Sequence, residues 1–229
     1  FQASARRLVG TGYAPPVILT NSDFRFIVTE QLAEVGVDPG AVLIEPEGRN
    51  TAPAVLAAAL HVLSSDPEAV LLVAPSDHVI PDAEAFRAAV ACGLTAVAEG
   101  QIVTFGIAPT RPETGYGYLE LAQNPQGEGP VPLSRFVEKP DATRAAAMIA
   151  AGNYLWNAGI FMFRAIDIVK AFETHAPDLV APVRAAVEGA ASDLGFLRLA
   201  PGPWAGLPDI SVDYAVMERA DNLAVVPFA

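Results

Sequence analysis

Residues 69–74 read Ala-Val-Leu-Leu-Val-Ala, a continuous apolar run between turn residues, with Asp66-Pro67 before it and Pro75-Ser76-Asp77 after it. A strand with one wet face alternates apolar and polar side chains; this run does not, which predicts a strand covered on both faces. Such a strand needs helices on both sides of its sheet, and the flanking sequence offers them. Residues 51–63 form an alanine-rich helical pattern with Pro53 tolerated in the first turn and Thr51 placed to cap it. Asp82 opens a second helical pattern that reaches about Glu99. Shorter apolar runs at 17–20 (VILT), 41–45 (AVLIE) and 101–106 read as further strands, and Asn21-Ser22-Asp23 is helix-start chemistry ahead of a helix ending near Gly36. Strand and helix in alternation, with short connections, predict a Rossmann-like α/β fold whose mixed, mainly parallel sheet is flanked by helices.

The remainder of the chain changes character. Residues 115–121, 131–137, 160–163 and 223–228 read as strands separated irregularly, which predicts a mixed lobe packed on the first. The segment 123–132 (QNPQGEGPVP) is the loosest and reads as a surface loop. Residues 1–9 resemble the tail of a helix stopped at Gly10 or Gly12. At 229 residues the chain can bury roughly 70% of its unfolded surface. With 52% hydrophobic and 17% charged residues it is not a disordered acidic chain, although its net charge is −12. That charge repels phosphate at long range and argues against a nucleic-acid or lipid-surface binder, while leaving room for a local phosphate pocket. One cysteine, Cys92, excludes an internal disulfide and a cysteine-rich zinc cluster. No apolar run reaches the length of a membrane span, so a soluble cytoplasmic protein is expected.

The common nucleotide and hydrolase signatures are absent: no P-loop, no G-x-G-x-x-G after a strand, no H-E-x-x-H and no G-x-S-x-G. His61, His78 and His175 share no ligand spacing. Candidate chemistry lies at strand ends. Asp77, in APSDH directly after the 69–74 run, sits where open α/β sheets bind ligands and has the hard oxygen that Mg²⁺ prefers. A turn cap accounts for the same residues. The loop 45–52 (EPEGRNTA) offers Arg49 and helix-start N–H groups to an anion or a base edge, or is an ordinary capped turn. TGYGY at 114–118 brackets an aromatic residue with glycines that allow close backbone approach. VEKP at 137–140 ends a strand with Glu138, an acceptor for hydroxyls, and Lys139, a point charge for phosphate; a solvated ion pair is the plain alternative. Asn157, in NYLWNAGIF (153–161), can donate and accept as sugar hydroxyls require.

The order of these motifs carries more than any one of them. EPEGRNTAPA, APSDH, TGYGY, FVEKP, NYLWNAGIF and SVDYAVME (211–218) together resemble the nucleotidyltransferase domain of mannose-1-phosphate guanylyltransferases, including bacterial forms that carry a mannose-6-phosphate isomerase domain. The resemblance spans essentially the whole chain and implies the sugar nucleotidyltransferase fold. It implies GTP and mannose 1-phosphate as substrates, GDP-mannose and pyrophosphate as products, Mg²⁺ as cofactor, and allows a homodimer. By motif, Asp77 is implied as the Mg²⁺ ligand and Lys139 as the phosphate-region contact, the two catalytic positions. Glu138, Asn157 and Gly159 are implied as sugar contacts with Gly115 and Tyr116 nearby, and Glu45, Arg49, Asn50, Thr51 and Ala52 as the guanine-side loop. The family's opening G-x-G-x-R-L-W-P loop, ending in P-K-Q, does not occur in this sequence, nor does the D-x-G-S-W-type segment that bears a second metal aspartate. Both are expected outside it, so this chain is expected to be inactive alone. A nucleotidyltransferase for another sugar or base, or a non-catalytic sugar-nucleotide-binding subunit, shares the same fold-level signals.

Overall fold

The computed structural model describes residues 1–10, 12–125 and 129–228. In chain order the elements are α1 (Gln2–Arg7), β1 (Val17–Asn21), α2 (Arg25–Glu34), β2 (Ala41–Glu45), α3 (Thr51–Leu63), β3 (Val70–Val73), α4 (Ala83–Ala98) and β4 (Ile102–Ile107). There follow β5 (Tyr118–Leu121), β6 (Val131–Val137), α5 (Ala142–Ala151), β7 (Tyr154–Arg164), α6 (Ala165–His175), α7 (Pro177–Glu188), β8 (Ala191–Asp193), β9 (Phe196–Arg198) and α8 (Pro201–Trp204). A π-helical turn (Asp213–Met217) and β10 (Leu223–Pro227) complete the chain. The loop expected at 123–132 has its centre, residues 126–128, outside the described residues.

Local chemistry sets most boundaries. The Asp82 side chain accepts from the N–H groups of Glu84 and Ala85 and starts α4; Asp141 does the same for α5 through Arg144. The Asn21 side chain accepts from Asp23 and Phe24 ahead of α2. Helix α3 departs from expectation by one residue: Asn50, at φ 63°, is its cap and Thr51 is its first helical residue. The Thr51 hydroxyl is used elsewhere, accepting from the N–H of Val212 at 2.9 Å.

The strands form two sheets. The smaller has the order β1-β2-β9-β8, with β1–β2 and β2–β9 parallel and β8–β9 a hairpin. The larger runs β3-β7-β4-β10-β6-β5, and β5 also pairs with β7, so its ladder returns on itself. It is a mixed sheet, not a mainly parallel one. Only β4–β10 is parallel among its described pairings, because the eleven-residue β7 runs antiparallel to β3, β4 and β5 alike. The run at 69–74 is covered on both faces as expected, Leu71 and Val73 packing on one core and Leu72 and Ala74 on the other. As β3 it pairs with β7 alone and stands at the edge of the described sheet, with Val70 43% exposed. Nor do the two halves of the sequence form two lobes, since β1 and β2 share a sheet with the late strands β8 and β9.

Helices cover the larger sheet on both faces. Alternate residues of β4, β7 and β10 divide between two cores: Ile102, Phe161, Phe163 and Val225 pack with Leu56 of α3 and Phe172 of α6. Val103, Phe105, Met162 and Val226 pack with Phe86 and Val90 of α4. Helix α3 is apolar on nearly all sides and is correspondingly buried from Ala52 to Leu60 apart from the half-buried Ala54. No described helix is long and apolar enough to cross a membrane.

β7 bends where it faces β4. Thr104 pairs with Phe161 and Gly106 with Asn157, so β7 carries extra residues opposite a shorter stretch of β4, and Gly159 takes φ 68° there. A bulge of this kind turns a strand and re-aims its side chains. Gly106 makes the close approach possible: a Cβ on it would lie 2.6 Å from Leu155 Cδ1 and 2.7 Å from Val225 Cγ2. Gly106→Ala is expected to lower the unfolding free energy by about 1–3 kcal/mol through overpacking, measured as a shift in the denaturant midpoint at constant m-value.

Candidate active site

Strand β2 ends at Glu45, and the loop to α3 is strapped to a distant segment. Ile210 donates its N–H to the Arg49 carbonyl (3.4 Å), Ala52 donates to the Ile210 carbonyl (3.1 Å), and Trp204 Nε1 donates to the Glu47 carbonyl (2.7 Å). Arg49 Nη2 reaches Glu47 and the Ala205 carbonyl, both at 2.7 Å, while its buried Nε has no partner. Much of the loop's polar capacity therefore serves the fold: Asn50 and Thr51 are engaged as described, and Ala52 is fully buried with its N–H already used. Glu45 differs. Burial pushes its carboxyl up to about 7, and that carboxyl makes no hydrogen bond among the described residues.

The second group of predicted residues converges beyond the ends of β6 and the near half of β7. Glu138 and Lys139 pair at 3.1 Å, with the Glu138 side chain 8% exposed and that of Lys139 52%. Lys139 adopts φ 46°, held there by its N–H donating to the Tyr116 carbonyl (3.2 Å). The neighbouring N–H of Glu138 donates to Glu218 Oε1 at 2.7 Å. TGYGY packs against this turn. At Gly117 a Cβ would lie 2.7 Å from Glu138 Oε2 and 3.2 Å from Asn157 Cβ, so the second glycine of the motif permits the contact. Gly115 stands in more open surroundings, donating to Glu113 Oε1, and the half-exposed Tyr116 ring sits edge-on to Trp156.

Asn157 joins these pieces. Its side-chain oxygen accepts from Thr104 Oγ1 (2.8 Å) and from the N–H of Gly159 (3.0 Å), and its nitrogen donates to Asp213 Oδ1 (3.1 Å). One amide hydrogen remains for a ligand. Asp213 is raised to about 6, first by burial and then by the nearby Glu138 carboxylate; Glu138 is also raised by burial, against the pull of Lys139. Gly159 brings in the APSDH loop, since a Cβ there would stand 3.9 Å from His78 Cε1 and Pro75 Cγ. Asp77 on that loop is exposed and its side chain makes no hydrogen bond or ion pair among the described residues, so it does not cap the following turn.

Glu138, Lys139, Asn157, Gly159, Gly115, Tyr116 and the Asp77 loop thus share one region, and the 45–52 loop joins it through residues 210–213. Sequence reasoning passes over Asp213, Glu218, Thr104 and Gly117. SVDYAVME marks the family without assigning its acids a role. The N–H of Glu218 donates to the Asp213 carbonyl, an i→i+5 bond, and this wide turn brings the two acids to the same side of the segment.

No three His, Cys, Asp or Glu side chains among the described residues are grouped to hold a metal unaided. Asp77 fits the alternative in which one carboxylate shares Mg²⁺ with the phosphate oxygens of a substrate.

The nucleotidyl transferase family model matches residues 1–204. This chain belongs to the nucleotidyl transferase family. It is 46% identical over 215 residues to a Sinorhizobium fredii mannose-1-phosphate guanylyltransferase, covering 93% of this chain and 42% of that protein. It is 43% identical over 226 residues to the Xanthomonas campestris xanthan biosynthesis protein XanB, covering 99% and 48%. An Escherichia coli mannose-1-phosphate guanylyltransferase is 41% identical over 231 residues, covering 99% and 48%. The chain spans about half the length of the curated relatives it matches. Among solved structures, a Helicobacter pylori mannose-6-phosphate isomerase superposes with TM-score 0.88 at 29% identity, covering 100% of this chain and 87% of that one. A Thermus thermophilus mannose-1-phosphate geranyltransferase gives 0.81 at 34%, covering 98% and 62%. The fold is that of these sugar-phosphate proteins.

The raised acid has a stability signature. Between an ordinary 3.8 and about 6, folded Asp213 keeps a proton that the unfolded chain gives up. Its contribution is therefore greatest below pH 4 and is lost as pH rises through 6. Asp213→Asn removes the charge while keeping an acceptor for Asn157. The variant is expected to match wild type near pH 4 and to exceed it at pH 8 by on the order of 2 kcal/mol, in parallel urea melts.

Proposed function

We propose that this chain is the nucleotidyltransferase part of a mannose-1-phosphate guanylyltransferase. A phosphate oxygen of mannose 1-phosphate attacks the α-phosphorus of GTP; the bond from that phosphorus to the β-phosphate oxygen breaks, giving GDP-mannose and pyrophosphate. The observation that supports this most is the meeting of the Glu138–Lys139 turn, Asn157 and the Asp77 loop around Gly159. The choice of mannose and guanine rests on the relatives' names.

In-line transfer between phosphates asks a protein mainly for positioning and charge. The half-exposed ammonium of Lys139 is offered to the phosphates, while Glu138 holds it from behind and keeps one oxygen for a sugar hydroxyl. The remaining hydrogen on Asn157 takes a second hydroxyl. Asp77 holds Mg²⁺, which when bound neutralises phosphate charge. The 45–52 loop, with Glu45, faces the base. A cytoplasmic site of action and a product feeding polysaccharide assembly accord with the alginate and xanthan names of relatives.

The direct test is pyrophosphate release by the longest natural polypeptide carrying this chain, with mannose 1-phosphate and each of GTP, ATP, UTP and dTTP. GTP is expected to be preferred at least tenfold; equal or better turnover with another nucleotide would show that the base assignment is wrong. Lys139→Ala is expected to lower kcat/KM about 100-fold or more. Its stability should change by less than about 1 kcal/mol, because Glu138 can take up a proton once its partner is gone. An unchanged rate would mark the pair as a solvated surface feature. Asp77→Asn, which removes a metal-binding charge at constant volume, should abolish most turnover without altering the melting temperature.

A further inference from the structure

Helix α1 spans six residues and nevertheless buries two polar side chains, Ser4 and Arg7, each 7% exposed. Three residues apart, they lie on one face of the helix. Both donate to the loop that carries Asp77: Ser4 Oγ to the carbonyl of Ser76 (3.1 Å) and Arg7 Nη2 to the carbonyl of His78 (3.3 Å). The first carbonyl belongs to the peptide that enters Asp77, and the second to the peptide after His78, so the two bonds flank Asp77. Among the described residues, the backbone of 75–80 makes no other hydrogen bond outside regular secondary structure.

Arg7 has no acidic partner among the described residues. A guanidinium buried without a counter-charge is costly, and its one described hydrogen bond goes to the loop. Helix α1 is itself anchored at its other end. Gln2 Nε2 donates to the Gln31 carbonyl (3.1 Å) and to Glu34 Oε2 (2.6 Å) on α2. Leu8, just after α1, packs on the same apolar cluster as Ala74 and Ile80 at the two ends of the loop.

We propose that Ser4 and Arg7 are positioning residues that grip the backbone on both sides of Asp77 and so fix where its carboxylate points. This rests on the reading of Asp77 as the cation ligand. Without the two bonds, a loop with no internal backbone ladder samples many directions, and a lone carboxylate must be ordered each time a cation binds. The cost then falls on metal affinity and not on the reaction of the fully loaded enzyme.

The test compares wild type with Ser4→Ala, Arg7→Gln, the double variant and Arg7→Lys in the longest natural polypeptide. One readout is the Mg²⁺ concentration giving half-maximal pyrophosphate release; the other is the ¹⁵N order parameters of the Asp77 and His78 amides. The double variant is expected to need at least tenfold more Mg²⁺, with kcat at saturating Mg²⁺ within about threefold of wild type. Its amide order parameters should fall from near 0.85 to below about 0.6. Arg7→Lys should recover part of both, since an ammonium can still donate to the His78 carbonyl. Unchanged order parameters, or lower ones with unchanged Mg²⁺ dependence, overturn the proposal. If the Arg7 variants do not fold, Ser4→Ala decides alone: removal of one oxygen with no loosening at Asp77 overturns it as well. Should Asp77→Asn keep wild-type turnover, the cation assignment fails, while the order parameters still report whether α1 grips the loop.

Discussion

Opposite Thr104–Gly106, the extra residues of β7 leave the pleat, and the Asn157 side chain is caught there by three partners: Thr104 of β4, the N–H of Gly159 and Asp213 of the π-helical turn. Each partner belongs to a different part of the chain. The bulge gives β7 two directions, so that its first half pairs with β5 and its second half with β3. The β5 side brings the glycine-flanked turn and Lys139; the β3 side brings the Asp77 loop. A regular β7 would keep these two groups on strands that do not meet. The amide hydrogen bonds hold the irregularity in place, and a half-buried asparagine with most of its valences filled is well suited to that.

Charge is distributed unevenly around this point. The chain carries an excess of twelve negative charges, yet the candidate site presents Lys139 outward. The acids behind it, Glu138 and Asp213, are raised by burial, and Asp213 further by the Glu138 carboxylate. Burial disfavours the charged forms of both acids, and Lys139 offsets one of them directly by pairing with Glu138 at 3.1 Å. The arrangement stabilises the fold less as pH rises, a cost common at sites where like charges are gathered for binding.

Most elements follow from local rules that are visible in the chain. Asp82 and Asp141 start helices as their side-chain oxygens require, and residues 131–137 form β6 as expected. Residues 69–74 pack on both cores as expected, yet β3 is only partly buried. Apolar continuity reports that both faces of a strand are wanted by a core; it does not report which strands lie beside it, and β3 has β7 on one side only. The mainly parallel expectation fails for the same reason. Alternating strands and helices suggest crossovers, but β7, which follows α5, returns antiparallel through the middle of the sheet and imposes its direction on three neighbours.

At the candidate site, the chain's local chemistry is enough to give the residue types and their positions at strand ends: Asp77 after β3, Glu138 and Lys139 after β6, Asn157 within the irregular part of β7. Those features depend on neighbours a few residues away, through turn chemistry and apolar periodicity. What holds them appears only once the chain has folded. Asp213 reaches Asn157 across 56 residues, Glu218 reaches the N–H of Glu138 across 80, and Thr51 receives the N–H of Val212 across 161. A hydrogen bond is specific over about 3 Å in space and indifferent to separation along the chain, so no local pattern announces it. Ser4 and Arg7 read as the tail of a helix until the loop they grip is folded against them.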